Sequence, residues 1–503
     1  MINKARILFL GFVVFLTAVT CNLPETAFGE NHTPIVFYTP AENGQTPAFQ
    51  QQGDPLDRVT TPTPNPPRTL PPIRSVSMEY TIQSNDTLNE IARDYGVSPE
   101  AIVIENNLPD PNILSIGQVL VIPPPTPGVP GPAFKIIPDS ELVYGPYSAD
   151  FDLQAFIEGK NGYLSTYQEE VNEEMMSSVE IIELASRNYS VNPRLLLAIV
   201  EYQSGWVTQP EAQITNTYAI GLEDPARPSL YRQLTWTADN LNRGYYRWRV
   251  NALGSFLTTN GLYIPASPEI NAGTAGVQFL LAQLLDEPVW RVAVSEQGLF
   301  STFYRLFGNP FDWAYEPLIP DDLNQPMMQL PFEDGVVWTF TGGPHGGYDN
   351  GSAWAAIDFA PPKEKLGCTL SDEWVVAMAD GVIIRSENGI VVQDLDGDGT
   401  EGTGWSILYL HIESREKVEV GTYVQAGDRI GHPSCEGGYS TGTHVHIARR
   451  YNGEWIPADQ DIPFVLDGWV SGGDGILYEG TLTKGEMTIE PCQCRDPEHT
   501  IER

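Results

Sequence analysis

Apolar positions along this chain follow three different patterns, and each change of pattern marks a boundary. Near the start, Ile7 to Val19 form an unbroken apolar run behind the basic Lys4 and Arg6. A run of about a dozen residues is short for a membrane span, and with a basic start it reads as an export signal. From Ser77 to Pro123 the pattern predicts a compact strand–helix–helix–strand unit. Tyr80-Thr81-Ile82 is a short strand, and Thr87 caps a helix that places Leu88, Ile91, Ala92 and Tyr95 on one face. Gly96 ends that helix, Ser98-Pro99-Glu100 begins a second, and Gln118 to Pro123 is a closing strand. Residues 151–325 carry helical spacing, clearest over Ser178–Ala185 and Pro193–Glu201. From Leu330 the period becomes two: Trp374–Ala379, Val382–Ile384, Ile390–Val392 and Ser406–Leu410 read as strands, with turns at Asp380-Gly381 and Asn388-Gly389.

Two proline-rich stretches separate these blocks. Thr60-Thr61-Pro62-Thr63-Pro64-Asn65-Pro66-Pro67 and Pro123-Pro124-Pro125-Thr126-Pro127 have the composition of extended, semi-rigid spacers. The expected division is 1–21 export signal, 22–77 linker, 78–123 small module, 124–150 linker, 151–325 helical domain, 326–485 β domain and 486–503 tail. The expected class is multidomain α+β: a small βααβ module, a mainly helical middle domain and an antiparallel all-β C-terminal domain.

The formal net charge of −37 over 503 residues changes the picture by exclusion. Phosphate backbones are bound by Lys and Arg, so nucleic acid is not an expected partner. Of five cysteines, Cys368, Cys435, Cys492 and Cys494 follow the export signal by hundreds of residues. Four cysteines in an exported chain suggest disulfides, with three possible connectivities. Cys492 and Cys494 stand too close to pair readily with each other. Bridges from them to Cys368 and Cys435 would tie the tail to the last domain; free thiols are the alternative.

Three resemblances add expectations. Leu16-Thr17-Ala18-Val19-Thr20-Cys21 resembles a lipoprotein cleavage box, which implies lipidation of Cys21 and a lipid-anchored protein on the outer face of the membrane or in the wall. YTIQSNDTLNEIARDYGVS, ENNL and IGQVLVIP resemble a lysin motif (LysM). The resemblance implies binding of peptidoglycan-type glycan near Asp86-Thr87-Leu88 and Asn112-Ile113-Leu114. VNPRLLLAIVEYQSGW and INAGTAGVQFLLAQLL resemble helices of lysozyme-like lytic transglycosylases. There Gln203 stands where the acid is needed, and an amide cannot protonate a glycosidic oxygen. Glu201, two residues away on the helix, points elsewhere. The middle domain is therefore expected to be a lysozyme-like relic that binds glycan without cutting it; an unrelated helical spacer is the alternative.

The chemistry gathers in the β domain, which holds five of the seven histidines: His345, His411, His432, His444 and His446. In Thr443-His444-Val445-His446-Ile447 the two histidines share one face of a strand, about 7 Å apart, while Val445 and Ile447 face the core. GGPH (342–345), AIDFAP (356–361), YLH (409–411), GTYVQAGDRIGH and STGTHVHI together resemble the lysostaphin-like zinc metallopeptidases. The resemblance implies that His345, Asp358 and His446 bind Zn2+, that His444 is the general base, and that His411 steadies the anionic intermediate. Two nitrogens and a carboxylate leave a fourth position for water. The implied activity is hydrolysis of peptidoglycan peptide cross-links; the alternative is an inactive wall-bound scaffold or activator. The family's first His and Asp usually stand four apart, which fits Asp349. Asp358 is preferred because it has the family's flanking Ile, Phe and Ala. Asp394-Leu395-Asp396-Gly397-Asp398-Gly399 resembles the start of a calcium loop, but Trp405 stands where the bidentate Glu belongs. A solvated hairpin turn is the expectation there, and His432 is expected to be structural.

Overall fold

Residues 67–503 are described by the computed structural model, except 84–85, 212–217, 363–366 and 495. The export segment with Cys21 and most of the 22–77 linker lie outside the described residues. The N-terminal module pairs β1 (Met78–Thr81) antiparallel with β2 (Val119–Ile122). Between them run α1 (Leu88–Tyr95) and α2 (Pro99–Asn106). Thr87 Oγ1 accepts from the Glu90 amide at 3.2 Å, and Ser98 caps the second helix. Leu88, Ile91, Ala92, Ile102, Leu120 and Ile122 are buried together, which is how 3.6-residue and two-residue periods meet in one small core.

The middle region is built on α3 (Ser178–Tyr189), α4 (Pro193–Ser204), α5 (Leu230–Arg249) and α6 (Ala272–Ala282). Ser177 and Glu180 form a capping box at the start of α3. At the α5–α6 crossing a Cβ on Gly244 would lie 2.8 Å from Gly276 Cα, so small residues set the approach. Glu201 is buried in α4 and committed: Thr208 N and Oγ1 donate to it at 3.1 and 2.6 Å, and Arg305 donates at 3.1 Å. A carboxylate locked this way serves the fold and is not placed to act as a glycosidase acid.

The C-terminal frame is a nine-stranded antiparallel sheet. Its strands are β3 (Val337–His345), β4 (Ala356–Ala360), β5 (Gly381–Glu387), β6 (Ile390–Asp394), β7 (Trp405–Leu410), β8 (Tyr423–Val424), β9 (Val445–Tyr451), β10 (Glu454–Trp455) and β11 (Thr500–Glu502). The order is β8-β5-β6-β7-β9-β4-β3-β11, with β10 beside β9. The last residues, set apart on sequence as a tail, thus add an edge strand paired with Val337–Thr339. Alternation sends Ile357, Phe359, Val391, Ile407, Tyr409, Val445 and Ile447 into a core on one face. Ala356, Ile390, Val392, Leu408, Leu410 and Ala448 point the other way and join the core of the helical domain. Both faces are therefore buried, and every residue of β4, β6 and β7 lies inside, the polar Asp358, Gln393, Asp394 and Ser406 included.

The disulfides differ from the expected tie between tail and domain. Cys368 bonds Cys435, with Cα atoms 5.9 Å apart, and Cys492 bonds Cys494. The Cys368 and Cys435 loops meet beside Thr443, a tertiary proximity that spacing does not reveal.

Candidate metal centre

Strand register brings the chemistry together. Asp358 on β4 is directly opposite His446 on β9, and Leu410, just before His411, is opposite His446 on the other side. With Ile357, Phe359, Val445 and Ile447 turned into the core, Asp358 and His446 share the opposite face. His345 ends β3, which reaches this face through Gly342; a Cβ there would lie 2.7 Å from Asp358 Oδ2.

His345 Nε2 and His446 Nδ1 are 3.0 Å apart, and Asp358 Oδ1 is 3.3 Å from each. The outward nitrogens are committed to the backbone. His345 Nδ1 donates to the Gly343 carbonyl at 2.8 Å, and His446 Nε2 donates to the Gly347 carbonyl at 3.0 Å. Both inward nitrogens consequently carry lone pairs in the neutral rings. Asp358 Oδ1 is buried and accepts no hydrogen bond. Three buried lone-pair donors facing one point repel each other unless a cation sits among them. Their spacing matches the ligand edges of about 3.3 Å that tetrahedral coordination at ~2.0–2.1 Å produces. This His-Asp-His group can hold a metal.

Charge follows the same geometry. Burial works against ionising Asp358, but His345 and His444 beside it hold its carboxyl well below the usual range. Burial also opposes a proton on His345, yet the Asp358 charge raises its pKa. Burial lowers that of His446.

Two further histidines border the group. His411 has φ 66°, a left-handed conformation that turns its ring into the cleft at the end of β7. Its Nδ1 donates to the Glu436 carbonyl at 2.8 Å. Burial, then the neighbouring His444 and His446, push its pKa down to about 3. The His444 ring lies 4.5 Å from that of His411; its Nδ1 is 2.7 Å from the Gly442 carbonyl, and its Nε2 is 3.7 Å from Asp358 Oδ2. His432 stands apart, between the Glu373 carbonyl, Glu416 and the Trp374 ring. Asp349, the alternative to Asp358, lies outside the donor group and accepts from Tyr189 Oη at 2.9 Å.

The cleft over these residues has a volume of about 820 Å³. Its walls include residues that sequence did not single out. Tyr478 stacks on His345 at 4.3 Å with φ 67°, and Asn172, Asn188, Tyr189 and Tyr231 come from the helical domain. Long separation in the chain left no signal for them. In the N-terminal module, Asp86 accepts from Tyr80 Oη and the Gln83 amide, both at 2.7 Å; Leu88 is buried, while Thr87, Asn112 and Ile113 are exposed and Leu114 is half-buried. Asp394, Asp396 and Asp398 cluster, with Asp394 accepting from the amides of Asp396, Gly397 and Gly399.

Three family models match the chain: LysM domain over 80–123, LasA N-terminal domain over 135–320, and Peptidase family M23 over 354–457. The second match replaces the lysozyme-like reading of the middle domain. The buried, Asn-capped helix α4 and the small-residue helix α6 are features that unrelated helical folds share. Protease LasA of Pseudomonas aeruginosa is 26 % identical over 338 residues, spanning 63 % of this chain and 74 % of that protein. The N-acetylmuramoyl-L-alanine amidase XlyA of Bacillus subtilis is 40 % identical over 50 residues, 10 % of this chain and 17 % of that protein. The solved M23 metalloprotease pseudoalterin, from the deep sea, is 23 % identical, covers 33 % of this chain and 96 % of its own, and has a TM-score of 0.26. The chain thus carries, in order, matches to a LysM domain, a LasA N-terminal domain and an M23 peptidase domain, and these with the likeness to protease LasA support a metallo-endopeptidase.

Proposed function

We propose that this chain is an exported zinc endopeptidase that binds peptidoglycan and hydrolyses its peptide cross-links. The observation that carries the reading is the convergence of His345 Nε2, His446 Nδ1 and the unpartnered Asp358 Oδ1. These three atoms would hold zinc and leave one position for water. Bound there, zinc supplies Lewis acidity and lowers the pKa of water to about 7.

The surrounding side chains handle the proton. His444 has its Nδ1 tied to the Gly442 carbonyl, so its Nε2 lone pair faces the cleft beside Asp358. It takes the proton of the attacking water and returns it to the leaving amine. His411, with Nδ1 committed to Glu436, also presents a lone pair at Nε2. Neutral in this tautomer, it could donate to an oxyanion only as the imidazolium, which its burial and the neighbouring His444 and His446 oppose. The LysM domain supplies glycan affinity near Asp86-Thr87-Leu88 and Asn112-Ile113-Leu114, and an acyl chain on Cys21 would hold the protein at the membrane surface. Peptidoglycan and the membrane are thus the partners.

Elemental analysis of purified wild type and His446→Ala, with mapping of muropeptides after digestion of purified walls, tests the reading. One zinc per wild-type chain, none in the variant and newly freed peptide amines are expected. Zinc-free wild-type protein, or products cut only in the glycan, would overturn it.

A further inference from the structure

Two of the carbonyls that set the cleft histidines belong to one loop. Residues 435–442, CEGGYSTG, run just ahead of β9. The Glu436 carbonyl accepts from His411 Nδ1 at 2.8 Å, and the Gly442 carbonyl accepts from His444 Nδ1 at 2.7 Å. Ser440 Oγ lies 3.3 Å from the same His444 nitrogen. The loop thus decides, near each of its ends, which ring nitrogen of a histidine faces the cleft. Three of its eight residues are glycine, and Tyr439 near its middle is 92 % exposed. Glycine loses more conformational freedom on ordering than any other residue. Such a loop holds its carbonyls in place only if contacts outside it close its neck.

The neck is closed from one short segment. Cys435 is bonded to Cys368, with Cα atoms 5.9 Å apart. Next to Cys368, Thr369 N donates to Thr443 Oγ1 at 2.9 Å, and Thr443 Oγ1 donates to the Thr369 carbonyl at 2.5 Å. Thr443 N donates to the Gly367 carbonyl at 3.2 Å. Both ends of the loop therefore land on neighbouring residues, one end through a covalent bond and the other through hydrogen bonds. The first half of the loop rests on the turn between β5 and β6, where a Cβ on Gly437 would lie 2.4 Å from the Asn388 carbonyl oxygen. The Glu436 carboxylate accepts from Ser414 N and Oγ at 3.0 and 2.6 Å. The His-Asp-His group lies outside this loop: His345 ends β3, and Asp358 and His446 are held by the register of β4 against β9.

We infer that the Cys368–Cys435 disulfide is a positioning element for His444 and His411, and that the peptidase reaches full activity only with this bond formed. The inference rests on the proposed reading of His444 as the general base. Without the bond the zinc ligands keep their places, but the neck opens and the Gly442 and Glu436 carbonyls no longer hold the two rings in one orientation. The bond forms by thiol–disulfide exchange with an oxidised dithiol partner: Cys368 and Cys435 give up two electrons and two thiol protons, which the partner's disulfide takes as it becomes two thiols. A reduced dithiol reverses the step. Cys368 is exposed, so such a partner can reach it. The cytosol keeps thiols reduced and extracytoplasmic compartments do not. Activity is thereby conditional on arrival in an oxidising compartment.

Cys368→Ser and Cys435→Ser are introduced together in the full chain, with and without His444→Ala. Bound zinc, and kcat and KM on a soluble cross-linked muropeptide, are compared with wild type. Misplacing a catalytic group by about 1 Å can cost about 10²-fold, so kcat is expected to fall about 10- to 100-fold. Zinc content is expected to stay at the wild-type level, and KM to change less than kcat. In the His444→Ala background the same pair is expected to cost much less, because groups that act as a unit are not additive. Wild-type kcat in the folded, zinc-loaded serine variant overturns the inference. So does an equal loss with and without His444, or a loss of zinc together with activity, either of which would leave the bond serving the fold alone. Should the serine variant fail to fold, Cys492→Ser/Cys494→Ser, which retains only the Cys368–Cys435 bond, is reduced with a phosphine and then reoxidised. Its kcat is expected to fall and return with zinc retained; an unchanged kcat after complete reduction, shown by thiol counting, overturns the inference. Zinc-free wild type, or His444→Ala with wild-type kcat, would instead defeat the reading of the site itself, so the two failures are distinguishable.

Discussion

At the residue scale, the tautomers argue most directly for the site. Backbone carbonyls of Gly343, Gly347, Glu436 and Gly442 each hold one nitrogen of a histidine and turn the other inward. Separate roles follow. Asp358→Ala and His345→Ala should lose both zinc and activity. His444→Ala should keep zinc while its kcat falls about 10²- to 10⁴-fold. Zinc content and steady-state rates on one preparation check this division. His411 adds a pH effect. Its folded pKa of about 3 lies below the ordinary histidine value, so between those limits the unfolded chain binds the extra proton. Its contribution to stability is therefore full above about pH 6.5 and lost as pH falls toward 3. In metal-free protein, His411→Asn should flatten the acid side of a melting-temperature profile over that window. The identity of these histidines was legible in the chain because His-x-His on a strand must share a face; their tautomers were not, since carbonyls from distant loops set them.

Elements show why the site is rigid. Asp358 and His446 are register partners, so a one-residue slip of β4 against β9 would send the carboxylate into the apolar core. Leu408, on the middle of β7, is buried against the helical domain rather than against the sheet's own core. Leu408→Ala should destabilise the chain by about 2–5 kcal/mol. Thermal or denaturant unfolding followed by near-UV circular dichroism measures it, and a negligible change would mean the two domains do not share a core. The strands of the β domain were readable from their period of two. That both faces were covered was hinted at only by short apolar runs such as Ile390–Val392, which fit a buried helix segment as well as a buried strand.

For the whole molecule, the Glu401 cluster is the sharpest test of domain union. Its side chain is 1 % exposed, and burial disfavours its charge, yet Arg385, Arg450 and Arg187 bring its pKa down to about 2. The stabilisation is present above the ordinary carboxyl pKa and is lost as pH falls through about 2. Glu401→Gln leaves three guanidinium groups without their counter-charge and should cost about 3–5 kcal/mol. If the domains act as one unit, probes in each should melt together in this variant; separate transitions would show independent domains.

The sequence by itself determined the LysM module, the all-β character of the C-terminal domain and the residue types of the donor group. Each depends on local periodicity or on short motifs whose geometry a single strand or helix dictates. Tertiary structure decided that Asp358 rather than Asp349 joins the histidines, how the cysteines pair, and that the tail closes the sheet edge. Those outcomes depend on contacts between segments tens to hundreds of residues apart. Burial and hydrogen bonding select among such contacts only once the whole chain has packed.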